Sequence, residues 1–197
     1  MDRKPSPERL SIFSDGVFAI IMTILVLELR PPEDAASFSA LLPLWPAALS
    51  YAVSYVFLAI VWVNHHHLFR YADVATPRLI WLNFAHLFSM SLLPFATAWM
   101  ARTGLAAAPV ALYAGVFVLV NLTYLLLIRE LVDRSASHDA DARRMMRLRA
   151  VITLAVFAGA ALVALKFPRW GLGLCCACLA FYVRPDVPRM TRGEAVE

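Results

Sequence analysis

Six long apolar segments constrain the fold of this chain more than any other feature. A membrane span needs about 20 mostly apolar residues, and runs of this kind lie at about 11–30, 40–68, 78–101, 109–131, 150–167 and 169–184. Hydrophobic residues make up 61% of the chain and charged residues 16%, against about 45–50% and about 25% in soluble domains. The sequence predicts an all-α, multi-pass membrane protein with a single six-span domain over 1–197. Only "KFPRW" joins the last two runs, so one broken hairpin is the alternative there.

Lysine and arginine predict the orientation. Basic residues are retained on the cytoplasmic side of membrane proteins, and a cytoplasmic N-terminus leaves only Arg30, Arg102, Lys166 and Arg169 of the 18 outside. Both termini are then cytoplasmic. The net charge of +4 follows from this topology, and no nucleic-acid partner is expected because the basic residues form no separate domain.

Three further segments have plain interpretations. The charged stretch 129–149 is expected to be a cytoplasmic loop, helical at both ends; a regulatory or lipid-headgroup role is the alternative. Residues 186–197 are predicted to be a disordered tail. Cys175, Cys176 and Cys178 lie in the last apolar run, where small apolar packing is expected and a metal site needs further ligands. The sequence has no motif of a hydrolase, nucleotide-binding enzyme or filter-type potassium channel, so neither enzyme activity nor a cofactor is expected.

Polar side chains at one membrane depth are the candidate functional residues, because such residues are costly in lipid. Three spans bring them to the cytoplasmic side: Arg9, Ser14, Asp15, Trp62, Asn64, His65, His66, His67, Asn83 and His86. They predict a buried network in which Asp15 accepts hydrogen bonds from His, Trp, Asn or Arg donors. For Ser14, a bond to its own helix backbone and a contact with another helix both remain open.

The triple histidine at 65–67 suggests a metal site only at first sight. Adjacent residues of a helix point about 100° apart, so the three side chains cannot all bind one ion from a regular helix. A structural hydrogen-bonding role is therefore the preferred interpretation. A proton-sensitive role and metal binding remain alternatives.

One face of the first span is an aliphatic stripe. At about 100° per residue, Thr23, Ile24 and Leu27 fall within about 60° of Ile20, whereas Asp15 lies about 140° away. Stripes of this composition pack against other helices more often than they line pores. The residues alone leave both interpretations open.

The segment "RLSIFSD" from Arg9 to Asp15, with Phe13 inside it and "GVFAIIMTILVLEL" after it, resembles the signature of the transmembrane protein 175 family. This family comprises the lysosomal potassium channels of animals and their prokaryotic homologues. The similarity extends to "WVNHHHLF" in the second span and to the asparagine-bearing start of the third. The chain contains one such motif, as the prokaryotic members do.

The resemblance implies a potassium-permeable cation channel of a prokaryotic cell membrane, with K⁺ as the permeant ion and no cofactor. Four copies form a homotetramer around a central pore lined by the first helix. It implies a hydrophobic constriction at Ile20, with Ile24 and Leu27 further along and Thr23 adding a hydroxyl.

Two questions remain open at this stage. Glu28 either faces the pore mouth and concentrates cations or pairs with Arg30. The alternative function is a small proton-coupled transporter or membrane redox protein that uses the histidine cluster; it predicts saturating transport or a bound chromophore.

Overall fold

A computed structural model describes residues 6–32, 37–132 and 140–182, except for the side chains of 140–143. The described residues form one short 3₁₀ helix, Phe38–Leu44, and seven α-helices: α1 Pro7–Leu27, α2 Trp45–Phe69, α3 Pro77–Ser91, α4 Leu93–Arg102, α5 Ala107–Leu131, α6 Ala140–Ala164 and α7 Pro168–Tyr182. The all-α prediction is confirmed. The predicted disordered tail, 186–197, lies outside the described residues.

Proline and hydroxyl side chains define where helices begin. Pro7 and Pro77 occupy the first turns of α1 and α3, where the missing N–H costs no hydrogen bond and the fixed φ suits a helix. Ser6 and Thr76 precede them, and each side-chain oxygen accepts a backbone N–H of the first turn. These caps satisfy donors that have no partner inside the helix.

The third predicted span, 78–101, is kinked. One apolar stretch runs from Pro77 to Arg102, but α3 ends at Ser91 and α4 begins at Leu93. Pro94 lies in the first turn of α4, and its ring cannot continue a helix from the preceding turn. The sequence predicts the span, and Pro94 accounts for the break within it.

Five helical stretches of the described residues are long and apolar enough to cross a membrane. They are Pro7–Leu27, Phe38–Phe69, Pro77–Arg102, Ala107–Leu131 and Arg144–Ala164. The sixth predicted span corresponds to α7, which has 15 residues and is shorter than the about 20 of a full crossing. Within the stretch 129–149, α5 continues to Leu131 and α6 begins at Ala140, while 133–139 fall outside the described residues.

An aromatic core surrounds α5, which packs against α2, α3, α4, α6 and α7. Phe57 of α2 stacks on Phe117 of α5 with ring centroids 3.6 Å apart. Phe157 of α6 meets Phe117 edge-on at 5.0 Å, and Tyr113 is fully buried beside them. Because buried aromatic rings contribute a large apolar area and edge-on pairs add to it, this cluster anchors α2 and α6 to the central helix.

In contrast, α1 lies at the edge of the bundle. It packs on α2, α3 and α4, and its buried side chains are Ser14, Phe18, Ile21 and Leu25. These positions are three or four residues apart and form one face of a helix. The other face of α1 points away from the protomer.

Candidate functional site

A chain of buried hydrogen bonds joins α1, α3 and α2. The Asn83 amide nitrogen donates to the Ser14 hydroxyl at 2.9 Å, and His65 Nε2 lies 2.8 Å from the Asn83 amide oxygen. All three residues are fully buried. Because an amide oxygen only accepts, His65 carries its proton on Nε2. Ser14 also donates to the Leu10 carbonyl at 2.9 Å, so both interpretations considered for this hydroxyl hold together.

A second buried group links α3 to α5. His86 Nδ1 lies 2.9 Å from the Thr123 hydroxyl, which itself donates to the Val120 carbonyl at 2.9 Å. His86 therefore donates to Thr123. Its ring lies parallel to that of His65, with centroids 5.8 Å apart. Within the described part of the chain, His86 Nε2 and His65 Nδ1 are buried without a hydrogen-bond partner.

The Asp15 carboxylate is held by α2. Trp62 Nε1 donates to its Oδ1 atom at 2.8 Å, and Asp15 itself is partly buried. Arg9, expected in the same network, is exposed. Among the described residues, no hydrogen bond or ion pair joins Arg9 to Asp15. The predicted acceptor role of Asp15 thus involves the indole donor.

Of the three consecutive histidines, the bundle buries one. His65 is inaccessible, whereas His66 and His67 are exposed, as the angular spacing of adjacent helical residues requires. The His66 ring contacts those of Trp62 and His67. Among the described residues, no group of three or more His, Cys, Asp or Glu side chains is arranged to hold a metal ion.

Two other candidates make packing contacts. Phe13 meets Phe84 of α3 edge-on, with ring centroids 5.6 Å apart. Asn64 offers its backbone carbonyl to the Tyr124 hydroxyl of α5 at 3.4 Å. Both contacts tie neighbouring helices together rather than extending the buried network.

The aliphatic stripe lies on the outward face of α1. Ile20, Ile24 and Leu27 are 59%, 40% and 73% exposed, and Thr23 is exposed between them. The Thr23 hydroxyl donates to the Ile20 carbonyl at 2.8 Å, so its proton is engaged while its oxygen can still accept. These four side chains are thus available to a neighbouring subunit, to lipid or to a pore.

Glu28 pairs with a residue that the sequence did not single out. Its Oε2 atom lies 3.1 Å from Nη2 of Arg102, which ends α4. The partner is Arg102 rather than Arg30, and the pair connects the C-terminal end of α1 to the kinked span.

Sequence reasoning missed the hydroxyl partners supplied by α2, α4 and α5. Besides Thr123, a buried cluster joins Ser54 to Thr97 at 2.8 Å and to Tyr113 at 2.9 Å. Each of these residues interrupts an apolar run, and this is the one signal by which they could have been found. Their pairing depends on helix rotation, which the apolar pattern of a buried helix specifies poorly.

Comparison with known proteins places these features in context. The family model "Endosomal/lysosomal potassium channel TMEM175" matches residues 9–94. A potassium channel of Chamaesiphon minutus is 32% identical over 150 residues, 72% of this chain and 70% of that protein. A potassium channel of a Chryseobacterium species is 42% identical over 119 residues, 60% of this chain; the match spans 62% of that relative, less than two thirds of its length.

The fold has a counterpart among solved structures. The crystal structure of a lysosomal potassium-selective channel TMEM175 homolog from Chamaesiphon minutus superposes with a TM-score of 0.82 at 25% sequence identity. The match covers 90% of this chain and 96% of that one. The similarity therefore extends well beyond the motif region at residues 9–94.

Proposed function

The chain belongs to the TMEM175 family of potassium channels, and on that premise we propose that it is a potassium-permeable cation channel that conducts passively. An ion-channel family is not an enzyme class. As a multi-pass protein with several apolar helices, the chain is assigned to the cell membrane of a prokaryote. Monovalent cations, the lipid bilayer and further copies of itself are its proposed partners, and no cofactor takes part.

The observation that carries this proposal is the two-sided character of α1. One face is held against α2 and α3 by Ser14, Asp15 and their partners. The opposite face presents Ile20, Ile24 and Leu27 outward from the edge of the bundle. A homotetramer with α1 at its centre brings four such faces together around an axis, with both termini of each subunit in the cytoplasm.

Such an arrangement makes a narrow apolar neck. Rings of Ile20, Ile24 and Leu27 gate by dewetting, since water and ions leave a sufficiently narrow apolar tube. Four Thr23 oxygens replace part of the hydration of a passing cation, because each remains free to accept. Glu28 is engaged with Arg102, so its contribution to the cation concentration at the mouth is small.

The alternative of a proton-coupled transporter or redox protein receives less support. His65 and His86 are buried on the side of α1 opposite to the stripe and hydrogen-bond to Asn83 and Thr123. This placement suits a structural role, in which His65 holds α2 in register with α3 and His86 holds α3 in register with α5. The family membership likewise favours a channel.

Ion flux from liposomes tests the proposal. Purified protein is reconstituted into vesicles loaded with K⁺, and the release of K⁺ down its gradient is measured against protein-free vesicles and vesicles with valinomycin. We expect K⁺ release that depends on the protein and does not saturate with a solute, together with a purified mass of four subunits. Vesicles that release K⁺ no faster than the protein-free control contradict the channel assignment.

A further inference from the structure

A large cavity with polar and apolar walls lies away from α1, between α2, α5, α6 and α7. Its volume is about 620 Å³. The lining residues come from the C-terminal halves of α2, α5 and α7 and from residues 146–157 of α6. In the predicted orientation, all of these helix ends lie on the cytoplasmic side. The ion-conduction proposal does not use this cavity.

Two arginines are among the described residues that line the cavity. Arg70, the C-cap of α2, and Arg149 of α6 both line it, together with the polar side chains of Asn64, Asn121 and Thr153. Guanidinium groups bind phosphate through paired hydrogen bonds, so the cavity is suited to a phosphate ester.

An apolar cavity of about 330 Å³ adjoins the first one between α6 and α7. The two cavities share Arg149, Thr153, Cys178 and Tyr182 as lining residues. A 2.7 Å hydrogen bond from the Thr153 hydroxyl to the Tyr182 hydroxyl closes this common wall. Arg149 therefore lies where the two cavities meet.

The second cavity opens toward the lipid-facing surface. Ile152, Leu174 and Phe181 line it and are 53%, 41% and 78% exposed. Exposed apolar side chains on a membrane helix contact acyl chains. A cavity that contains two arginines, beside an apolar groove, is complementary to a phospholipid, which has an anionic headgroup at one end and hydrocarbon at the other.

We propose that the two cavities together bind one anionic phospholipid, with its phosphate between Arg70 and Arg149 and an acyl chain along Ile152, Leu174 and Phe181. Basic pockets between membrane helices on the cytoplasmic side recognise lipid headgroups in this way. The bound lipid spans α2, α6 and α7, so it fastens the peripheral helix pair α6–α7 to the rest of the bundle.

Lipid retention by the purified full chain tests the site. Delipidated protein in detergent is titrated with phosphatidylglycerol or with phosphatidylcholine of the same acyl chains, and bound lipid is counted by native mass spectrometry. We expect phosphatidylglycerol to bind about tenfold more tightly, which corresponds to one charge-assisted contact, and to raise the unfolding temperature. Equal binding of the two lipids overturns the proposal, and this comparison needs no variant.

Matched variants locate the site. Arg70→Gln/Arg149→Gln is expected to lower phosphatidylglycerol binding about tenfold, to the level of phosphatidylcholine. Arg129→Gln, the control for Arg70→Gln, removes one positive charge near the C-terminal end of α5 at a residue that lines neither cavity, so binding should stay unchanged. If the double variant fails to fold, Arg70→Gln alone, at an exposed position, should still weaken binding severalfold. Equal losses in the Arg70 and Arg129 variants overturn the assignment.

Two further experiments decide whether the bound phosphate belongs to a lipid or to a soluble molecule. Ala177→Trp fills the apolar groove, which Ala177 lines, and should reduce phosphatidylglycerol binding while both arginines remain. Free sn-glycerol 3-phosphate and inorganic phosphate at millimolar concentration should fail to displace the lipid. Full displacement of the lipid by either compound would indicate a site for a soluble phosphate and would contradict the proposal. These readouts do not depend on ion conduction, so the channel assignment is tested separately.

Discussion

The indole N–H of Trp62 donates a 2.8 Å hydrogen bond to Oδ1 of Asp15 and thereby fixes the rotation of α1 against α2. Asp15 lies about 140° around the helix from Ile20. When α2 holds the carboxylate, the aliphatic stripe must therefore point away from the protomer. The Trp62–Asp15 contact inside the subunit therefore determines which face of α1 points toward the proposed pore.

Removal of the indole donor should loosen this attachment. Trp62→Phe keeps an aromatic ring but loses the N–H, and we expect the free energy of unfolding to fall by about 1–2 kcal/mol, as for a hydrogen bond to a charged group. Thermal unfolding in detergent gives the measurement. Trp170→Phe, at a position 74% exposed on α7, is the control and should change little.

A double-mutant cycle separates this contact from general packing. Asp15→Ala combined with Trp62→Phe should cost less than the sum of the two single changes, because each single variant removes the same hydrogen bond. Simple additivity would show that the indole and the carboxylate stabilise the protein independently.

Loss of the Asn83 amide should be more damaging, because two buried partners depend on it. Asn83→Ala leaves the Ser14 hydroxyl and His65 Nε2 without this bridge, and unpaired buried polar groups cost about 1–3 kcal/mol each in water-soluble proteins. Contacts in membrane bundles are weaker, so we expect a total loss of about 1–3 kcal/mol. The exposed Ser91→Ala on the same helix is the control. An Asn83→Ala protein as stable as this control would argue against the network.

The close approach of α6 and α7 depends on Gly171. A Cβ atom at this position would lie 2.6 Å from Ala164 Cβ and 2.8 Å from the Ala160 carbonyl oxygen, so the helices must separate to admit it. We expect Gly171→Ala to lower the free energy of unfolding by about 1–3 kcal/mol, the usual cost of overpacking. Gly173→Ala on the same helix meets nothing within 4 Å and should be neutral in the same thermal-unfolding assay. A neutral Gly171→Ala would mean that the two helices are packed less closely.

The sequence predicts the membrane depth of the site residues but not the rotation of the helices that carry them. The depth of Asp15, His65 and Asn83 follows from the span boundaries and the alternating direction of the spans. A shared depth predicts polar contacts between α1, α2 and α3, and Asp15 does bond to α2 while His65 bonds to Asn83 of α3. The choice of His65 over its two neighbours depends on helix rotation. In a helix as uniformly apolar as α2, the hydrophobic pattern defines that rotation poorly.

Other features could not be predicted because their partners are distant in sequence. Arg102 meets Glu28 across 74 positions, and it does so only because Pro94 bends the third span and sets the direction of α4. Thr123 is one hydroxyl within an apolar helix, and only the packing of α3 on α5 pairs it with His86. Local sequence indicates the presence of such polar groups but not their partners.

The Glu28–Arg102 ion pair should contribute modestly and in a salt-dependent manner. Its side chains are 28% and 59% exposed, and exposed pairs are worth about 0–1 kcal/mol. Glu28→Gln should lower stability by less than about 1 kcal/mol and leave K⁺ conductance within about twofold, and the charge-swapped Glu28→Arg/Arg102→Glu should recover the stability. A large fall in conductance in Glu28→Gln at low salt would instead indicate that this carboxylate faces the permeating ions.

The most direct test of the channel account is single-channel recording of the purified protein in planar bilayers, with K⁺ on one side and Na⁺ on the other. Ile20→Asn is compared with the wild type and with Val26→Asn, an exposed position on the same helix turned about 120° from Ile20. We predict discrete currents whose reversal potential shows that K⁺ permeates, a larger conductance in Ile20→Asn because a polar ring wets the neck, and no such gain in Val26→Asn. An absence of channel currents, or equal conductance in the wild type and Ile20→Asn, would contradict a pore lined by this face of α1.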